Sequence, residues 1–179
     1  DLDLLQEINE KTKAVVQMTL TTFDEELCKK LEPNVASTKE RVETLKILHE
    51  AGIPTVVWLC PILPFINDTR ENIQGILDYC MEAKVYGILC FGMGLTLRQG
   101  NREYFYQQLD KLFPGLKQKY HRIYGCQYNI ESPRKDELMD LFRRECQEKG
   151  ILHDQDQIFS YLSLFEEKTT HEQLMFDLF

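Results

Sequence analysis

No C-x-x-C element occurs in this chain, and no two of its six cysteines lie closer than Cys80 and Cys90. That excludes a zinc or iron–sulfur site of the usual local spacing, so any metal held here needs ligands scattered through the fold. Histidine is scarce. His49, His121, His153 and His171 have no second histidine or cysteine at ligand spacing and read as surface or helix-end residues. The pair Gly92 and Gly94 is not followed by a third glycine three residues on, and no helix starts at once, so a dinucleotide-binding loop is rejected. No apolar run reaches the roughly 20 residues that span a bilayer; the longest, from Thr55, is broken by Pro61 and Pro64. A membrane partner is therefore not expected. The opening Asp-Leu-Asp-Leu-Leu-Gln-Glu-Ile has neither a basic start nor a signal-type apolar core, and it reads as a piece of a longer protein.

Positive charge is also short. The formal net charge is −8, a field that repels phosphates at long range and makes a nucleic-acid partner doubtful. Lys111, Lys117, Lys119, His121 and Arg122 gather in one region, but acidic residues are interleaved nearby, as on a solvated mixed-charge face. What is abundant is apolar residue, 43% of 179, enough for one domain with a sizeable core. The cysteines sit inside apolar periodic segments rather than in the loops of a stapled scaffold, which points to reduced thiols in a cytoplasmic protein.

The periodicity alternates helix and strand. Asp1 to Thr12 carries Leu2, Leu5 and Ile8 at helical spacing, and Ala14 to Thr22 reads as a β-branched strand. A short helix is expected from Asp24 to about Lys30. Ser37-Thr-Lys-Glu40 is a capping box opening a helix that Gly52 ends, and Pro54 to Cys60 is a nearly continuous apolar strand of the kind parallel sheets bury. Asp68-Thr-Arg-Glu71 repeats the capping pattern before a helix with Ile73, Ile76, Leu77, Cys80 and Met81. A third strand is expected at Tyr86 to Phe91, then a polar loop to Gly100 and a helix near Asn101 to Phe113. Everything beyond reads as helical, including Pro133 to Lys149 with Ser132 as cap and Pro133 at the first helical position. Three strands separated by helices make three parallel β-α units, an α/β fold whose ligands bind at the carboxyl ends of the strands.

Those ends carry the candidate residues. Thr19 and Thr21 share one face of the first strand, where their hydroxyls can bond a ribose or an amino-acid carboxylate; threonine also simply favours strands, and Thr22 is a possible helix cap. Cys60 to Asp68 holds Pro61 and Pro64, giving a stiff apolar loop suited to a wall against a flat ring, or to stiffness alone. Cys60 and Cys90 sit near strand ends as possible hydrogen-atom donors or nucleophiles, although a buried cysteine is usually a small hydrophobe.

The run Val16-Gln-Met-Thr-Leu-Thr-Thr-Phe-Asp-Glu-Glu-Leu, then Leu31-Glu-Pro-Asn with Arg41 beyond it, then Ala51-Gly-Ile-Pro and Pro61-Ile-Leu-Pro-Phe-Ile-Asn-Asp, resembles the second half of radical S-adenosylmethionine proteins of the spore photoproduct lyase type, a group also labelled DNA repair photolyases. The resemblance covers about residues 1 to 124. It implies that residues 1–125 form the second half of a partial (β/α)6 TIM-like barrel and that 126–179 form a helical C-terminal extension. It further implies that the whole protein uses S-adenosylmethionine and a 4Fe–4S cluster held by a C-x-x-x-C-x-x-C loop. This chain has no such loop, so the cluster and the chemistry would depend on a missing N-terminal half. On the same resemblance, Thr19 or Thr21 would contact the cofactor's ribose or methionyl group, Arg41 its carboxylate or Glu32, and the backbone at Cys60, Pro61 and Ile62 its adenine; Gly92 would allow close approach of the third strand. The substrate is open, nucleic-acid lesion repair being one possibility. The alternative is a non-catalytic α/β interaction module. With the barrel cut in half, the first strand, Val15 to Leu20, is expected to expose an unpaired edge, leading to self-association or to cover by the helices of Gln155 to Phe179.

Overall fold

The computed structural model describes residues 1–166 and 168. Helix α1 (Leu2–Lys11) precedes strand β1 (Val16–Leu20), and helices α2 (Glu25–Leu31) and α3 (Thr38–Glu50) lead to β2 (Thr55–Leu59). Helix α4 (Arg70–Glu82) then leads to β3 (Gly87–Leu89). The three strands form one parallel sheet in the order β1-β2-β3, with Val16 opposite Thr55 and Val56 opposite Gly87. The fold is thus mixed α/β around an open sheet, and no closed barrel is formed among the described residues. No described helix is long and apolar enough to cross a membrane.

The pleat sends alternate side chains to opposite faces. On one face Leu20, Val57, Leu59 and Ile88 meet Val42 and Leu45 of α3 and Ile73, Ile76 and Leu77 of α4. Helix α7 (Lys135–Lys149) packs on α4 and adds Leu138, Leu141, Phe142 and Cys146 to the same core. Most of these side chains are fully buried, each worth about 1.5–3 kcal/mol of hydrophobic stabilisation. On the other face Val56 and Leu89 meet Ile158 of α8 (Gln155–Ser163), a helix capped by Asp154. Gly87 lies under that helix: a Cβ there would stand 2.9 Å from Ile158 Cδ1. Helix α8 therefore covers part of the second face. Of the residues expected to do so, Leu174 and Phe176 lie outside the described residues, as does His171.

The sheet edges differ. Beyond β3, Gly87 bridges Leu152 in parallel and Ile88 N–H donates to the Leu152 carbonyl at 2.9 Å. Val16 N–H donates to Pro54, so alternate residues of β1 face β2 while the backbone groups of Gln17 and Thr19 face outward. No strand pairs that outer edge among the described residues.

Several expectations need correction. The supposed polar loop to Gly100 contains β4 (Gly94–Thr96), and the supposedly helical remainder contains β5 (Asn129–Glu131), which pair antiparallel with Gly94 opposite Glu131. Three residues are too few to show alternation, so neither strand announces itself. Between them, α5 (Asn101–Leu112) and α6 (Leu116–Tyr124) build a second apolar cluster from Leu97, Tyr106, Leu109, Tyr120, Tyr124 and Ile130. Helix α7 begins at Lys135 with Arg134 at its N-cap, two residues later than the start expected at Pro133; the Ser132 hydroxyl accepts from Arg134 N–H and also donates to Asp68. Thr69, not Asp68, caps α4, and Asp24, not Thr22, caps α2. The capping box at Ser37 and Glu40 is present, both bonds formed.

Candidate functional site

The carboxyl ends of β1 and β2 are tied together by two buried asparagines. Asn67 and Asn72 both donate from Nδ2 to the Thr21 carbonyl, at 2.9 and 3.1 Å. Asn72 Oδ1 accepts from Phe23 N–H at 2.7 Å, and Asn67 Oδ1 accepts from Leu63 N–H. Both side chains are thereby used on donor and acceptor sides, as a buried amide requires. Where β1 stops, these amides replace the missing sheet partners. The loop from Pro61 is pinned further by the Tyr120 hydroxyl, which donates to the Pro64 carbonyl at 2.6 Å. Its Phe65 has φ of +64°, a costly conformation for a bulky residue, and its ring packs against Tyr120 and Tyr124.

The two threonines differ. Thr21 is 4% exposed and its hydroxyl donates to the Cys60 carbonyl at 3.2 Å. Thr19 is exposed. The Thr19 carbonyl, on the outer edge, accepts from Arg41 Nη1 at 3.1 Å. The same guanidinium makes two bonds to Glu32, Nη2 to Oε1 at 2.9 Å and Nη1 to Oε2 at 3.3 Å. Of the two partners considered for Arg41, the structure places Glu32 against it.

Two adjoining recesses lie at this end of the sheet. The larger, about 370 Å³, is lined by Thr19, Thr21, Glu32 and Pro61 together with apolar side chains such as Leu63 and Phe105. The smaller, about 250 Å³, includes Cys60, Gly92, Asn129 and Glu131. Leu95 and Thr96 of β4 line both and form the wall between them. The candidate residues are thus divided: Thr19, Thr21 and Pro61 in one recess, Cys60 and Gly92 in the other. Ile62 is in neither. It is fully buried in the main core, and its N–H donates to the Gly94 carbonyl at 3.2 Å. Gly92 has φ of +142° with open space where a Cβ would stand, so backbone conformation rather than crowding calls for glycine there.

Sequence reasoning passed over Asn72 and the α5 wall, and it treated Glu32 only as a partner for Arg41. Asn72 carried no signal beyond an amide inside a helical run. The α5 residues read as the apolar stripe of one more helix.

The thiols are quiet. Burial pushes Cys90 up to about 11 and Cys146 up to about 12, and it raises Cys60 and Cys80 as well. Cys90 Sγ lies 3.8 Å from Met139 Sδ. Among the described residues no three His, Cys, Asp or Glu side chains are grouped to hold a metal ion.

No family model matches the chain, and no solved structure does. A protein of Mycobacterium tuberculosis is 27% identical over 124 residues, covering 69% of this chain and 36% of that protein. A protein of Acidianus two-tailed virus is 31% identical over 137 residues, covering 68% of this chain and 44% of its own length. A protein of Methanocaldococcus jannaschii is 32% identical over 70 residues, 39% of this chain. All three are described as uncharacterized. The chain spans less than half the length of these relatives.

Proposed function

We propose that the chain is the C-terminal portion of a radical S-adenosylmethionine enzyme resembling spore photoproduct lyases, its open sheet being the second half of a partial (β/α)6 barrel. One observation carries this reading most: the 370 Å³ recess stands at the carboxyl end of a parallel sheet, where such folds bind ligands, and it combines apolar walls with Thr19, Thr21 and Glu32. S-adenosylmethionine fits that donor and acceptor set, with Thr19 and Glu32 toward its hydroxyls and Pro61 and Leu63 toward its ring. The 4Fe–4S cluster does not fit the described residues of this chain, whose cysteines are dispersed and, apart from Cys60 and Cys126, buried. It belongs to the part of the longer protein that this chain does not span.

With a reduced 4Fe–4S cluster of the whole protein as one-electron donor, S-adenosylmethionine would be cleaved to methionine and a 5′-deoxyadenosyl radical. What these residues contribute is holding and shaping: the Asn67 and Asn72 amides fix the end of β1, and the pinned loop supplies a wall. Calorimetric titration of the chain with S-adenosylmethionine tests the reading. Thr19→Val is expected to weaken binding by roughly 1–3 kcal/mol if its hydroxyl bonds the cofactor. Absence of any binding counts against the proposal.

The outer edge of β1, which no strand pairs among the described residues, favours a second reading, a non-catalytic interaction module that pairs with another chain there. Monomeric sedimentation together with cofactor binding distinguishes the enzyme reading from it.

A further inference from the structure

Helix α5 carries two buried polar atoms that have no hydrogen-bond partner among the described residues, Arg102 Nη1 and the Tyr106 hydroxyl. Tyr106 is 6% exposed. Neither residue lines the two recesses. Buried donors are nearly always matched, so two unmatched ones a single helical turn apart mark a place where an acceptor is wanted. Arg102 cannot turn away to find one. Its Nη2 is fixed by the Leu97 carbonyl at 3.0 Å and by the Gln127 carbonyl at 2.9 Å.

Cys126 stands next to Gln127 in a turn closed by the Gln127 N–H, which donates to the Tyr124 carbonyl at 3.0 Å, and it is an exposed thiol. Burial pushes the Tyr106 hydroxyl up, Arg102 lowers it and Cys126 raises it, so the guanidinium and the thiol both lie within electrostatic reach of that oxygen. We infer that Cys126 is a site of oxidation by hydroperoxides to a sulfenic acid, whose new oxygen is the acceptor that Arg102 Nη1 and the Tyr106 hydroxyl lack. This site is independent of the cofactor reading above.

In that step the Cys126 sulfur, as thiolate, attacks one oxygen of the peroxide. An S–O bond forms as the O–O bond breaks, the sulfur gives up two electrons, and the second oxygen leaves with the thiol proton as water or an alcohol. A sulfenic oxygen adds one atom of bulk, and in its ionised form it takes a charge-assisted bond from the guanidinium. The buried thiols Cys28, Cys80, Cys90 and Cys146 are shielded from the same reagent.

The test treats the chain with hydrogen peroxide, quenches with catalase and traps with dimedone after increasing delays, mass spectrometry reading each cysteine. Sulfenic acid is expected at Cys126 before any other thiol. Tyr106→Phe keeps the ring and removes only an oxygen that has no partner in the reduced chain, and it is expected to shorten the lifetime of that sulfenic acid about tenfold. The melting temperature gives a second readout that does not depend on this variant: peroxide should raise it in the unaltered chain and leave it unchanged in Cys126→Ser. Equal lifetimes with and without the Tyr106 hydroxyl overturn the inference. So does a melting temperature that peroxide fails to raise, the result expected where a buried water alone serves the two donors. Oxidation of another cysteine ahead of Cys126 overturns it as well.

Discussion

The Ser132 hydroxyl donates to the carboxylate of Asp68, joining the start of the α7 segment to the start of the α4 segment across 64 positions of sequence. Both residues are buried, at 2% and 5% exposure. Arg134 reaches the same place, donating from Nη1 to the Asp68 carbonyl at 3.3 Å. Ser132→Ala removes a donor and leaves a buried acceptor short of a partner, at a cost of about 1–3 kcal/mol. A urea midpoint lowered at constant m value is the expected result.

Gly94 is where a one-carbon change should do the most damage. A Cβ there would stand 2.1 Å from the Ile130 carbonyl oxygen and 3.1 Å from Glu131 Cα, both backbone atoms of the partner strand. Backbone cannot swing aside as a side-chain tip can. Gly94→Ala is expected to separate β4 from β5, loosening the wall between the two recesses. The expected signs are faster amide exchange at Leu97, whose N–H donates to Tyr128, and at Ile62, whose N–H donates to Gly94 itself.

The chain contains one tryptophan, and its ring reports on α8. Trp58 lies 5.5 Å from Phe91 and 6.3 Å from Phe159 between ring centroids, and its Nε1 donates to Gln17 at 2.8 Å. Ile158→Ala opens a cavity between α8 and the sheet, costing about 2–5 kcal/mol, and should shift Trp58 emission to the red as α8 loosens. A chain ending at His153 would uncover Val56 and Leu89 and leave the second face bare. Concentration-dependent sedimentation is its expected behaviour.

Thiol reactivity should follow burial. Cys126 is exposed and Cys60 half-buried, whereas Cys28, Cys80, Cys90 and Cys146 are buried. With dithionitrobenzoate at pH 8, one thiol is expected to react quickly and a second slowly, with all six reacting only after denaturation.

The same burial is expected to make the fold less stable at alkaline pH. Cys90 is pushed up to about 11 and Cys146 to about 12 from an ordinary value of 9.0. The unfolded chain therefore gives up these protons first as pH rises. Their stabilising effect is complete below about pH 9 and is lost progressively between about 9 and 12, so the thermal midpoint should fall through that window. Cys90→Ala with Cys146→Ala should flatten the slope there. Glu137 works at the other end. Hydrogen bonds from Arg134 and Arg70 lower it from 4.5 to about 2, and its contribution is lost as pH falls through that range.

By itself the sequence determined the three β-α units, because β-branched runs and 3.6-residue stripes are local patterns written over ten or more residues. It also determined the Ser37 capping box, whose partners lie three positions apart. That the strand ends lie together was legible because in a parallel sheet every strand ends on the same side. Tertiary structure decided the rest. β4 and β5 exist only because each supplies the other's hydrogen bonds across more than 30 residues, and three-residue strands leave no periodic trace. Ser132 and Pro133 matched a helix start locally, but the helix opens at Lys135, and the serine hydroxyl also donates to a buried carboxylate 64 residues away. The division of Thr19, Thr21 and Pro61 from Cys60 and Gly92 depends on Leu95 and Thr96 entering between them. Arg41 turned inward to Glu32 because the end of α2 brings that carboxylate beside the outer edge of β1, a juxtaposition that no spacing along the chain encodes.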